Sequence, residues 1–292
     1  MGELLKRTQA REGKFMEKKI NIRKIIITII SFIVSIAFLL PFIWMLSTSF
    51  KIEADVFKFP IEWIPKRWNG IENYKEVWLG KYPFALYYWN SIKITVITTL
   101  ISVTVSAMAA YGFSKVNFPA GKFLFIIVLT TFMVPQQSIL VPQFILYRYL
   151  GLFDSHTGLI LLGSFSVLGT FMLRQFFMGI HSDYIDAAKI DGAGHFRIFW
   201  SIALPIVRPA IATYGILRFI WTWNDYQNPL IFLRTDGLYT IQLAMQKFTS
   251  LNGEFYSLIM AAAVSSILPL IIVFVIGQKQ VIEGIALGGV KG

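Results

Sequence analysis

Arg218 stands inside an apolar run, and Trp223, Asn224, Asp225 and Asn228 follow within ten residues of it. A guanidinium donates several N–H groups, and amide and carboxylate groups bond hydroxyls. Flat aromatic faces stack on C–H surfaces. Together these groups suit the holding of a hydroxyl-rich or acidic solute at the wall of a cavity. Arg218 has a second reading, as an internal ion pair or a side chain that snorkels to the interface. Trp221, its neighbour, reads as part of an interfacial aromatic belt. Other chemistry is missing from the sequence. It has no Gly-x4-Gly-Lys-Ser/Thr loop for nucleotide phosphates and no His-Glu-x2-His metal pair. The histidines are His156, His181 and His195, and no Ser-His-Asp arrangement is evident. The absence of cysteine excludes disulfides, thiolate metal sites and Cys nucleophiles. No catalytic residue and no metal ligand is assigned.

The elements that position these residues must meet a solvent other than water. The 292 residues are 55% hydrophobic and 15% charged, whereas soluble domains run nearer a quarter charged. Six apolar runs occur, at about 25–47, 88–113, 122–146, 157–178, 203–223 and 257–277. Each is long enough for a bilayer-spanning helix of roughly 20 residues. None shows the period-2 alternation of barrel strands. The expected fold class is therefore all-α, a polytopic integral membrane protein with about six transmembrane helices. It divides into a basic segment 1–24, a transmembrane domain 25–277 with a polar loop at about 179–204, and a tail 278–292. Pro135, Pro142, Pro205, Pro209 and Pro269 lie within spans or at their ends. They predict kinks whose freed backbone groups face neighbours or a wet cavity, or simply reflect the frequency of proline in membrane helices.

The net charge is +11. Placing the N-terminus, the second and fourth loops and the tail on one side gives that side 16 Lys and Arg against 7 Asp and Glu, and the other side nine of each. The positive-inside rule then sets both termini in the cytoplasm. Basic loops account for the charge without nucleic acid. The first 20 residues show no apolar h-region, so no cleavable secretory signal is read there.

The fourth loop has its own helical grammar. Ser182 is a suitable N-cap, Asp183 lies in the first turn where the dipole favours an anion, and Gly192 is a natural stop. Ala187 and Ala188 keep the short helix slim. Phe196, Phe199, Trp200 and Ala203 then recur at helical spacing as an apolar stripe. The spacing Asp186-Ala187-Ala188, Gly192, Ile202, Leu204-Pro205 resembles the cytoplasmic coupling motif of binding-protein-dependent ABC importer permeases. Asp186 stands where that motif has Glu, which keeps the charge and shortens the reach. The Gly288-Gly289-Val290-Lys291 ending resembles that of the maltose-type (MalG-like) carbohydrate permease subunit, and the Trp-Asn-Asp-Tyr stretch also fits the sugar-permease pattern.

The resemblance implies a bacterial cell-membrane permease that imports a sugar or oligosaccharide by alternating access. Asp186, Ala187, Ala188, Asp191, Gly192, Ile202, Leu204 and Pro205 would couple it to an ATPase subunit, and the tail would reach into the ATPase dimer. Expected partners are a second homologous permease, an ATP-binding subunit dimer that holds ATP and Mg, an extracytoplasmic solute-binding protein, the sugar and the bilayer. The chain itself would hold no cofactor and catalyse nothing. The same permease type for a non-sugar solute, such as glycerol phosphate or a peptide, stays open, as does a membrane-embedded enzyme.

Overall fold

A computed structural model describes residues 22–250 and 253–289. Three of its helices are long and apolar enough to cross a membrane unaided: α1 (Ile22–Ser49), α3 (Phe84–Lys115) and α12 (Tyr256–Gly289). A short helix, α2 (Gly70–Leu79), precedes α3. Three bent pairs supply the remaining spans. These are α4 (Gly121–Thr131) with α5 (Gln136–Tyr149), at 96°; α6 (His156–Gly163) with α7 (Val167–Met178), at 42°; and α9 (His195–Ile206) with α10 (Arg208–Trp223), at 82°. Between the last two pairs lies α8 (Ser182–Ile190), and α11 (Gln227–Phe232) follows α10. Two-residue strands at Thr249–Ser250 and Gly253–Glu254 pair antiparallel.

The surface is inverted relative to a protein that folds in water. From Ile25 to Leu46, α1 exposes large apolar side chains along nearly its whole length. Lipid is the solvent in which such a surface is favourable. The interior combines apolar clusters with buried polar groups. On α3, Ser91, Thr95, Thr98, Ser102 and Ser106 recur every three or four residues and are all buried. Small side chains let helices approach closely, and their hydroxyls bond across the contact. Ser102 meets the Tyr214 hydroxyl of α10 at 2.9 Å. Gly169 of α7 lies so near the Tyr214 ring that an added Cβ would fall 2.2 Å from it. This three-helix junction of α3, α7 and α10 is the centre of the bundle.

Loops on one face of the bundle are tied by carboxylates. Glu53 accepts from the Tyr256 and Ser257 amides and the Ser257 hydroxyl, capping the start of α12. Asp55 pairs with Arg67. Asp154 accepts from the Arg234 and Thr235 amides and the Thr235 hydroxyl. Those three bonds, the hydroxyl first, hold its pKa below the ordinary carboxylate value.

Several expectations change. The third run is not one crossing helix: Pro135 has no N–H and restricts the residue before it, and the chain turns by 96° there. Ala203–Ile206 belong to α9, and the fifth apolar run is bent, continuing as α10 from Arg208. The tail is helical through Gly288 and Gly289, because α12 continues past Gly277. Propagating a helix adds one bond per ordered residue, and a lone Gly284 costs only about 1 kcal/mol. Val290 and Lys291 lie outside the described residues.

Candidate functional site: a membrane cavity and the loop beneath it

A cavity of about 660 Å³ opens between α3, α5, the α6–α7 break and the end of α10. Its size falls within the range of about 300–1,000 Å³ typical of small-molecule sites. Helix breaks build it. Where α6 stops, Gly163 keeps an unpaired C-terminal carbonyl, and Arg218 Nη2 donates to it. Ser166 restarts the span as N-cap of α7, accepting from the Gly169 amide at 3.0 Å. Gly163 has no room for a side chain. An added Cβ would lie 2.3 Å from Thr98 Cγ2 and 2.6 Å from Arg218 Nη2.

The cavity gathers most of the residues expected of it. Arg218, Trp223, Asp225 and Asn228 all line it. Their roles differ. Trp223 is 1% exposed, and its indole N–H donates to the Ser266 carbonyl of α12, so it forms rigid wall. Asp225 accepts from the amide and the side chain of Asn228, closing the turn into α11. Asn224 does not join them. It is exposed, and its side chain folds back onto the Ile220 carbonyl of its own helix at 2.9 Å. Trp221 does line the cavity, which the belt reading misses.

Sequence reasoning also missed Gln136 and Gln143 of α5 and the hydroxyls of Thr95, Thr98 and Thr222. A usable signal existed. In the run after Pro135, Gln136 and Gln143 are seven residues apart, which places them on one helix face. Nine buried side-chain N or O atoms lack a partner among the described residues, and four of them belong to cavity residues: Thr98 Oγ1, Thr222 Oγ1, Thr240 Oγ1 and Arg218 Nε. Buried polar groups are normally paired, and these four atoms are covered by the cavity wall and do not face its open space.

The polar loop between α7 and α10 forms a separate structure. Gly192 adopts φ +79°. Its amide donates to the Lys189 carbonyl and the Ala193 amide to the Ala188 carbonyl, a Schellman ending of α8. Ile185 and Ala188 are buried in one apolar cluster with Leu173 and Phe177 of α7 and Ile198, Phe199 and Ala203 of α9. Ile202 and Leu204 pack against that cluster. Asp186, Ala187, Asp191 and Pro205 are exposed, as are Tyr184 and Ile190. Asp186 pairs with Lys189 at 3.6 Å.

Two details of the loop depart from expectation. Ser182 is the first helical residue and makes no cap bond; His181 occupies the N-cap position, with its Nδ1 3.1 Å from the Asp183 carboxylate. The stripe on α9 is also divided. Phe199 and Ala203 are buried, but Phe196 is 69% and Trp200 44% exposed. A π-helical segment at Phe199–Ala203 has the wider i→i+5 turn, which shifts the phase from Phe199 onward.

A helical bundle with a solute-sized cavity amid its candidate spans, and an anchored helix beside it, suits a membrane permease. The chain belongs to the family described as "Binding-protein-dependent transport system inner membrane component", which matches it over residues 102–286. It is therefore the membrane-spanning permease subunit of a binding-protein-dependent ABC importer. It is 31% identical over 273 residues to the arabinooligosaccharides transport system permease protein AraQ of Bacillus subtilis (strain 168), covering 93% of this chain and 97% of that protein. It is 33% identical to the sulfoquinovosyl glycerol transport system permease protein SmoH of Agrobacterium fabrum, over 87% of this chain and 89% of the other. Among solved structures, a chain of a bacterial ABC transporter involved in the import of the acidic polysaccharide alginate superposes with a TM-score of 0.79 and 26% identity, over 91% of this chain and 98% of that one. A second, of an alginate transporter in complex with an alginate pentasaccharide-bound periplasmic protein, has a TM-score of 0.62 and 13% identity over 88% and 94%, a likeness of fold alone.

Proposed function

We propose that this permease imports a sugar or oligosaccharide by alternating access, and that α8 is the element through which a separate ATPase drives it. The anchoring of α8 carries the reading. Its buried face, Ile185 and Ala188, is continuous with α7 and α9, while its opposite face is free for a partner. A push on α8 therefore moves α7 and α9 with it. α7 meets α10 at the Tyr214 junction, and α10 carries Arg218 into the cavity. The relatives named above for arabinooligosaccharides and sulfoquinovosyl glycerol support the solute class.

The complete importer, on this reading, has a second homologous permease, two ATP-binding subunits that hold ATP and Mg, and an extracytoplasmic solute-binding protein. It works in the bacterial cell membrane. The excess of Lys and Arg on the α8 side favours a cytoplasmic position for α8 and both termini. Asp186, Ala187, Ala188, Asp191 and Gly192 form the docking helix. Ile202, Leu204 and Pro205 fix the α9–α10 corner behind it, and residues from Gly288 to Lys291 reach toward the ATPase.

Gly192→Pro tests the coupling. Proline cannot adopt φ +79° and has no amide for the Lys189 carbonyl. The variant is expected to insert into the membrane and to leave ATP hydrolysis unlinked to uptake. Uptake at the wild-type level would overturn the role given to α8.

A further inference from the structure

The segment between α1 and α2 exposes a run of large apolar side chains. Phe57 is 67%, Phe59 90%, Ile61 53%, Trp63 48% and Ile64 84% exposed. An apolar patch of this kind marks a surface that meets a protein or a membrane, and its depth selects the membrane. Phe57 packs edge-on against Tyr256, the first residue of α12, with 4.8 Å between ring centroids, and lies 6.4 Å from Trp44 of α1. Both helices measure the level of that contact. From Ile25, which follows the charged pair Arg23 and Lys24, α1 rises about 28 Å to Trp44 at about 1.5 Å per residue. From Gly277, which precedes Gln278 and Lys279, α12 runs about 32 Å back to Tyr256. Each length matches a hydrocarbon core of about 30 Å. Trp44, Phe57 and Tyr256 therefore stand at a membrane–water boundary, where aromatic rings gather. It is the boundary opposite α8. At the other end of α3, Lys115 Nζ donates to the Ile180 carbonyl just before α8, whereas Phe84, at its start, packs with Val77 of α2.

We propose that residues 57–64 form an interfacial wedge, seated at the acyl–headgroup boundary of the leaflet opposite α8. The exposed apolar face of α1 continues directly into it through Phe42, Ile43 and Leu46. The charges of the segment cancel, so seating it brings no net charge to the lipid. Lys58 pairs with Glu62 at 3.6 Å and with Asp55 at 3.9 Å, Lys66 pairs with Glu62 at 3.5 Å, and Arg67 pairs with Asp55. The Lys58–Glu62 pair also keeps Phe59 and Ile61 folded close to Phe57. The wedge holds the outer end of α1 and, through Phe57 and Tyr256, the start of α12 at a fixed depth.

The chain has no cysteine, so a nitroxide can be attached at one chosen position. Phe59→Cys, Ile64→Cys and, as a lipid-facing reference on α1, Phe38→Cys all replace exposed side chains. Each is assembled with cysteine-free partner subunits in phosphatidylethanolamine–phosphatidylglycerol vesicles. Collisions of the label with oxygen, which concentrates in lipid, are compared with collisions with a water-soluble nickel chelate. At Phe59 and Ile64 oxygen is expected to exceed the chelate by at least about threefold, approaching the ratio at Phe38. A chelate excess at both positions would overturn the wedge. So would shielding from both reagents, which would assign the patch to a protein contact. Chelate access that disappears only on adding the solute-binding protein would assign the patch to that protein and overturn the wedge equally. If one labelled variant does not assemble, the other decides alone.

Discussion

Replacing Gly169 by alanine should loosen the whole bundle, by an amount the Tyr214 contact sets. The new Cβ would lie 2.2 Å from the ring's Cζ and 2.3 Å from its hydroxyl. Carbon contacts relax at about 3.5–4.0 Å, so ring or helix must shift by about 1.5 Å. Tyr214 has little freedom to do so. It is 1% exposed, and its hydroxyl is held by Ser102 at 2.9 Å. Overpacking of this kind costs about 1–3 kcal/mol, and losing the hydroxyl bond about 1 kcal/mol more. The better helix propensity of alanine returns about 1 kcal/mol. The net destabilisation is about 1–3 kcal/mol. At about 2–4 °C per kcal/mol for a chain of this size, the Tm of the detergent-purified protein should fall by about 2–12 °C. Tyr214→Leu removes the obstructing end of the ring. In the double variant, Gly169→Ala should add no further loss, a coupling of at least about 1 kcal/mol in the mutant cycle. A wild-type Tm for Gly169→Ala, or additive losses in the pair, would refute the account.

Further expectations concern single contacts. Glu53→Ala removes the carboxylate that caps α12, and a charged cap contributes about 1–2 kcal/mol; hydrogen exchange at the Ser257 amide should quicken about tenfold or more. Asp154 has a folded-state pKa below its ordinary 3.8, so its bonds favour the folded state fully above that pH and lose effect as pH falls through the lower, folded value. A series of melting curves at decreasing pH should show this loss in the wild type and not in Asp154→Asn. Ile190 is 86% exposed, so Ile190→Asp should leave the Tm within error and abolish uptake; undiminished uptake would remove Ile190 from the docking face. Gly192→Ala meets no atom within 4 Å, so its cost is the left-handed backbone alone, about 1–2 kcal/mol. It should impair uptake less than Gly192→Pro does.

The six apolar runs were legible because lipid imposes a length and a polarity that composition records directly. The stop at Gly192 was legible too, because a left-handed helix ending favours one residue type. What escaped the sequence depended on where helices break and turn. The 96° bend after Thr131 makes α5 a cavity wall, so Gln136 and Gln143 face solute space where a straight span would have hidden them. Phe196 and Trp200 point outward although their spacing matches that of the buried Phe199 and Ala203, and a π-helical turn begins at Phe199. Asn224 carries a suitable side chain but spends it on Ile220, a choice made by one local rotamer. Arg218 was singled out by its charge, and only the halted α6 helix explains what holds it.

The contact between Glu53 and the start of α12 has a topological consequence. Two groups that touch must lie on one side of the membrane. Glu53 follows directly on α1, and Ser257 opens α12, so the chain between them crosses an even number of times. The three bent pairs and α3 supply four such passages. With α1 and α12 each crossing once, a reporter fused ahead of α1 and one fused behind α12 are expected to report the same side.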